Sequence, residues 1–121
     1  MLRTLDLSDC VDVYDLDPLV SFTSLEDLSI KNCKKVDSLY ALVDCTMLRR
    51  LDISGCTQVS DIKPLGTCVE LEHIHMAGCR SVTDVSPLGN CTRMKFLDIT
   101  GCFQVHDLSK LIGCMDLRIK T

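Results

Sequence analysis

Cysteine is the most chemically versatile residue in this chain of 121 residues, which contains nine of them. They fall into two series that recur at the same constant interval: Cys10, Cys33, Cys56, Cys79 and Cys102, and Cys45, Cys68, Cys91 and Cys114. Such thiols could form disulfides, bind zinc or fill buried space as small apolar groups. No Cys-x-x-Cys pair is present. One series has five cysteines and the other has four, so the two series do not pair evenly as disulfides. We therefore expect reduced structural thiols and an intracellular, reducing compartment, cytoplasm or nucleus.

Histidines and carboxylates form a second group with chemical potential. His75 falls at the same repeat position as Asp52 and Asp98, and His73 lies two residues earlier. A histidine between two carboxylates could ligate a metal or take part in acid–base catalysis. Alternatively, the carboxylates only raise the pKa of the histidine on a solvated face. Ser54 is the nearest hydroxyl, but no enclosed pocket is expected around it, so we predict no enzyme, no metal and no other cofactor.

A repeating unit must position all of these side chains. Full units start at residues 2, 25, 48, 71 and 94, and a partial sixth starts at 117. Positions 1, 4, 6, 9, 12, 15, 18 and 21 hold only apolar residues or cysteine in the five full units, which predicts that they point inward. In the sixth unit Lys120 falls at inward position 4. A period of about 23 residues indicates stacked units in a single domain, 2–121, here without evident caps.

Each unit divides into a strand segment and a return segment. Leu51-Asp52-Ile53 shows the alternation of apolar and polar residues that is typical of a half-buried strand. Pro18, Pro64 and Pro87 stand where the return begins, and proline is tolerated in the first turn of a helix. Too few residues remain in each unit for a long helix, so we predict short 3₁₀ turns.

The pattern Leu-x-x-Leu-x-Leu-x-x-Cys, followed by Val-x-Asp-x-x-Pro-Leu, resembles the leucine-rich repeat in a form with cysteine in place of the usual asparagine. Residues 82–91 are similar to repeats of kinetoplastid leucine-rich proteins and, less closely, of bacterial internalins. The resemblance implies an α/β architecture. It would be a right-handed leucine-rich-repeat solenoid with a parallel β-sheet on the concave face and short 3₁₀ or irregular turns on the convex face. It also implies binding rather than catalysis.

Positions 3, 5 and 7 of each unit are expected on the exposed strand face, with equal positions of neighbouring strands side by side. We predict that the partner-binding residues there are Asp27, Lys31, Arg50, Asp52, His73, His75, Phe96 and Asp98. Arginine and aromatic side chains are common at binding hot spots, and histidine supplies pH-sensitive contacts. Residues 1–30 carry seven acidic and one basic side chain, a net charge of −6, which disfavours nucleic acid at that end.

The sequence therefore predicts a non-enzymatic scaffold that binds a polypeptide partner on its concave face. One alternative is a structural subunit of a large assembly, held through its uncapped ends or its convex face. Another is the substrate-recognition part of a ubiquitin ligase, which the resemblance to cysteine-type repeats implies. The uncapped ends indicate end-to-end association or a larger complex. No apolar run is long enough for a bilayer, so we expect a protein partner, no membrane contact and no specific contact with nucleic acid.

Overall fold

Six short parallel strands form one sheet along the molecule. A computed structural model describes all residues, 1–121. The strands β1 to β6 are Thr4–Asp6, Asp27–Ser29, Arg50–Asp52, His73–His75, Phe96–Asp98 and Arg118–Lys120. They lie in chain order, and every neighbouring pair is parallel. The predicted solenoid, with its sheet on the concave face, is confirmed.

Short 3₁₀ helices return the chain from one strand to the next. They are Asp17–Ser21, Tyr40–Leu42, Lys63–Thr67, Ser86–Asn90 and Ser109–Gly113. Proline occupies the start of three of them, where its missing N–H costs no internal hydrogen bond. Before the helix Lys63–Thr67, Asp61 Oδ1 accepts a hydrogen bond from the backbone N–H of Lys63 at 2.8 Å. The prediction of short 3₁₀ turns is confirmed, and none of the helices is long and apolar enough to cross a membrane.

The predicted inward positions form the core of the solenoid. In the three coils that start at residues 25, 48 and 71, all eight inward positions are buried. Leu28, Leu51 and Ile74, for example, are paired neighbours at position 4 of successive coils. Ala41 is the one buried apolar residue outside this pattern. Each such leucine or isoleucine contributes roughly 1.5 to 3 kcal/mol to folding, because the neighbouring coils remove its surface from water.

The outer coils depart from the inward pattern. Leu2, Cys10 and Phe22 occupy inward positions of the first coil but are exposed, and Val105 and Leu108 of the fifth coil are only half-buried. The expectation of a buried thiol at Cys10 is therefore wrong. The physical reason is that a coil of this chain covers that cysteine on one side only.

The sixth strand differs from the expected register by one residue. Equal repeat positions would pair Ile119 with Phe96, but Arg118 takes that place, so Ile119 lies beside Leu97 and Lys120 beside Asp98. The expectation that Lys120 points inward is therefore wrong. A shift of one residue moves every side chain of a strand to its other face, and this shift places an isoleucine rather than an ammonium group on the inner face.

The turn after each strand needs a left-handed backbone. Position 8 has a positive φ in every full coil, at Asp9, Asn32, Gly55, Gly78 and Gly101. In the first two of these coils a side-chain bond supports the turn, since Asn32 Nδ2 donates to Asp9 Oδ1 at 2.8 Å. In the coils from Gly55 onward, glycine occupies this turn position. A Cβ added at Gly55 would overlap Asn32 Oδ1. Asparagine, aspartate and glycine are the residues that adopt this conformation most readily.

The cysteines form two internal columns of thiols. All nine are free, and all except Cys10 are buried. At position 9 the thiol donates to the carbonyl of position 6 in the preceding coil: Cys79 Sγ to Ile53 O at 3.1 Å and Cys102 Sγ to Met76 O at 3.0 Å. Burial raises the pKa of Cys79 to about 12, so its proton is retained for this bond.

Candidate concave binding site

The sheet places equal positions of successive coils next to one another on the concave face. The position-3 row is Thr4, Asp27, Arg50, His73 and Phe96, and Arg118 continues it on the shifted β6. The position-5 row is Asp6, Ser29, Asp52, His75 and Asp98, and Lys120 continues it on β6. We call the six residues on β3, β4 and β5 the concave patch: Arg50, Asp52, His73, His75, Phe96 and Asp98. The spatial rows expected from the sequence are thus present, and β6 adds two cations that the sequence reasoning missed.

Rings form the centre of the concave patch. His75 and Phe96 have ring centroids 5.3 Å apart with their planes tilted by 49°. Both are half-buried, as is His73. His73 Nδ1 is buried and has no hydrogen-bond partner. Burial lowers the pKa of His73, and the charge of Arg50 lowers it further, so this imidazole is neutral at physiological pH.

The two carboxylates of the concave patch are engaged by their own turns. Asp52 Oδ1 accepts the backbone N–H of Ser54 at 2.9 Å, and Asp98 Oδ1 accepts the N–H of Thr100 at 2.9 Å and its hydroxyl at 2.6 Å. Burial raises the pKa of Asp98, but the two bonds from Thr100 outweigh it and the pKa is lowered. These carboxylates therefore end the strands as well as facing the concave surface.

The other two predicted residues lie at the side of the concave patch, on or just after β2. Asp27 is half-buried beside Arg50, and Lys31 is exposed. Arg50 is exposed as well, and none of the five ion pairs in the molecule uses Arg50, Asp27 or Lys31. The structure therefore brings six of the predicted residues together and leaves Asp27 and Lys31 at the edge.

Glu72 is the strongest electrostatic feature of this edge of the sheet, and the sequence reasoning missed it. It is 8% exposed, the one buried charged residue in the chain. Arg49 Nη2 lies 2.7 Å and Lys95 Nζ 3.1 Å from its carboxylate oxygens. The hydrogen bonds from Arg49 and Lys95 lower the pKa of Glu72 to about 2. The sequence signal was the alternation of charge at position 2, the position just before the strands.

Two solved structures of known proteins share this architecture. Internalin C2 from Listeria monocytogenes superimposes with a TM-score of 0.88 over 98% of this chain and 51% of its own, at 24% sequence identity. The fold is a leucine-rich-repeat solenoid. Internalin F from the same organism matches with a TM-score of 0.70 at 22% identity, over 88% of this chain and 37% of its own. The chain thus spans about half or less of the length of these solenoid proteins.

Sequence comparison gives a shorter match. A family profile described as Leucine Rich repeat matches residues 44–62, which run from the end of the second coil into the third. No curated protein sequence matches the chain significantly. The sequence and the solenoid structure therefore agree on the repeat type.

The concave face is an open surface with charged and aromatic side chains. A groove of about 470 Å³ runs beside the concave patch, lined by His73, Lys95, Phe96, Asp116 and Arg118. No group of three or more histidine, cysteine, aspartate and glutamate side chains is arranged to hold a metal ion. The chemistry that this surface offers is ion pairing, hydrogen bonding and ring contact with another molecule.

Proposed function

We propose that the protein is a non-enzymatic scaffold that binds a polypeptide partner on the concave face of its solenoid. The observation that carries this proposal is the row Arg50, His73, Phe96 and Arg118, which are consecutive cross-strand neighbours on that face. The core does not dictate these residue types, because the inward positions alone supply the apolar columns. Arginine and aromatic side chains in one cluster are typical of the residues that dominate binding energy at protein interfaces.

The unpaired nitrogen of His73 supports the same proposal. A buried polar atom without a partner costs about 1 to 3 kcal/mol, and such costs are found mostly where function requires them. If a bound partner contacted the imidazole and the ring rotated, His73 Nδ1 would form a hydrogen bond with that partner. If this surface had no function, a side chain without an unpaired buried nitrogen would suit position 73 equally well.

Site-specific photo-cross-linking in cells tests the proposal. A benzophenone amino acid at Phe96 on the concave face should give a discrete cross-linked protein product. The matched control is the same amino acid at Ile112, which is 86% exposed in the last 3₁₀ helix on the convex face. It should give none. Circular dichroism of both variants should show the melting temperature of the parent.

The opposite cross-linking pattern would contradict concave binding. Products from Ile112 with none from Phe96 would favour the second candidate, a structural subunit held through its convex face or its ends. This second candidate is supported by three apolar side chains that are each more than three-quarters exposed: Phe103, Ile112 and Met115. The role in a ubiquitin ligase and the kinship with kinetoplastid leucine-rich proteins stay predictions.

We further propose that the protein works in a reducing compartment. Eight buried free thiols support this, because each fills a small internal space or donates to a carbonyl that an oxidised sulfur would leave unpaired. Fluorescence of a tagged chain in the cytoplasm or nucleus would agree with the proposal, and secretion would contradict it.

A further inference from the structure

The position-3 row carries two guanidinium groups without carboxylate partners. Arg50 and Arg118 stand at the two ends of the stretch from β3 to β6, with His73 and Phe96 between them. None of the five ion pairs in the molecule uses either arginine. Asp27 on β2 is the cross-strand neighbour of Arg50 but does not form an ion pair with it. The stretch with unpaired arginines therefore ends at β3.

The charge around this row is positive. In this row and at the residues just before the strands from β3 to β6, Arg49, Arg50, Lys95 and Arg118 supply four positive charges. The carboxylates beside these cations are Glu72 and, in the segment before β6, Asp116. The position-5 row on the same strands adds Asp52, Asp98 and Lys120, and both of its carboxylates accept hydrogen bonds from their own turns. Glu72 pairs with both Arg49 and Lys95, so its single negative charge cancels one of their two positive charges. The groove that His73, Lys95, Phe96, Asp116 and Arg118 line therefore has two cations against one carboxylate, a net charge of +1.

The floor between the two arginines is uncharged. His73 is neutral because burial and the charge of Arg50 lower its pKa, and Phe96 presents a half-buried ring. Neighbouring strands lie about 4.8 Å apart, so Arg50 and Arg118 are separated by three such steps, about 14 Å. An extended peptide advances about 3.3 Å per residue, so side chains about four residues apart would match that distance.

We infer that the concave face takes an extended acidic segment of a partner protein. Two carboxylate side chains, about four residues apart, pair with Arg50 and Arg118, and an apolar side chain between them contacts Phe96. Arginine suits this role because its planar guanidinium pairs with a carboxylate through two parallel hydrogen bonds. The inference rests on the proposed function and adds the chemistry of the partner to it.

Selection from a displayed library of random twelve-residue peptides, against the full chain, tests the inference. Enriched peptides should carry two Asp or Glu residues about four positions apart, with an apolar residue between them. Binding of a selected peptide should weaken at least tenfold in Arg118→Glu and in Arg50→Glu, and it should weaken with added salt. Lys63→Glu changes the net charge equally, at an exposed site in a convex 3₁₀ helix, and should leave binding within twofold of the parent.

The outcomes separate this inference from the proposed function. Selected peptides without acidic preference, whose binding is nonetheless lost in Arg118→Glu or Arg50→Glu, would overturn the acidic segment and leave concave binding in place. Peptides that bind all three variants equally would overturn both. A library that yields no binder would also count against the inference, because random sequences of this length include the required pattern many times.

Discussion

Glu72 is expected to stabilise the solenoid through its two cations, and Glu72→Gln tests this. The substitution keeps the shape of the side chain and removes its negative charge. Glu72 is nearly buried, with Arg49 and Lys95 on either side at 2.7 and 3.1 Å. Because the amide binds these cations more weakly than the carboxylate does, we expect a lower free energy of unfolding in the variant.

The size of the effect follows from the pKa of Glu72. A pKa lowered from 4.5 to about 2 corresponds to about 3 kcal/mol of stabilisation. The side chains of Arg49 and Lys95 are 57% and 59% exposed, so solvent screening reduces this figure, and we expect about 2 kcal/mol at neutral pH. The folded-state pKa lies below the unfolded one, so the stabilisation is complete above pH 4.5 and is lost as the pH falls through about 2.

Urea unfolding monitored by circular dichroism measures the difference. At about pH 7 the variant should be about 2 kcal/mol less stable than the parent, and at about pH 3 the gap should shrink to less than half. Glu70→Gln is the matched control, since Glu70 and Arg93 also pair but have side chains 41% and 63% exposed. Its effect should stay below about 1 kcal/mol.

Two results would refute this reasoning. If Glu72→Gln and Glu70→Gln change stability equally, the burial of Glu72 has no special consequence. If the loss in Glu72→Gln is the same at both pH values, it comes from packing and not from the charge.

Three further substitutions have expected outcomes. Gly55→Ala should lower the free energy of unfolding by about 2 kcal/mol, because alanine is strained at a φ of 76° and its Cβ would overlap a neighbouring side chain. Gly113→Ala should change it by less than about 0.5 kcal/mol, because the new methyl would meet only Thr92 Cγ2, at an ordinary contact distance of 3.9 Å. Equal urea midpoints would contradict this explanation. His73→Phe should raise the melting temperature, since it removes the unpaired Nδ1, at a gain of about 1 kcal/mol; a lower melting temperature would contradict the cost assigned to that atom. In the native protein a thiol reagent should modify Cys10 rapidly and the other thiols only on unfolding, so Cys10→Ser should abolish the fast phase; a fast phase that persists would show that other coils open.

The fold was predictable because one pattern recurs without interruption. The eight inward positions fixed the strand register from β1 to β5 and the position of each 3₁₀ turn, since only one stacking buries all of those side chains together. The sixth strand was not predictable from the period alone. A constant repeat length would turn the ammonium group of Lys120 inward, which costs free energy. In the structure the interval from β5 to β6 is one residue shorter than the intervals between the other strands, and Lys120 does not point inward.

The repeat predicted which side chains of the candidate site lie side by side on neighbouring strands, but not which hydrogen bonds they form. Register alone placed Arg50, His73 and Phe96 side by side, since parallel strands align equal positions. Which polar groups are satisfied depends on local geometry that the repeat does not encode. Asp98, for instance, bonds to its own turn, and His73 Nδ1 has no partner. Glu72 was missed because its position precedes the strand, where neither the inward positions nor the strand alternation predicts burial.

The thiol columns set an alkaline limit on this solenoid. Burial raises the pKa of Cys56 and Cys68 to about 11, and that of Cys79 and Cys91 to about 12, from an ordinary 9.0. The neutral thiol therefore favours the folded state fully below pH 9, and this advantage is lost as the pH rises toward 11 and 12. A thiolate is a charge between aliphatic side chains and has no proton for the carbonyl of the coil before it. Base should therefore unfold the middle coils, whereas a column of asparagine, which does not ionise, would impose no such ceiling.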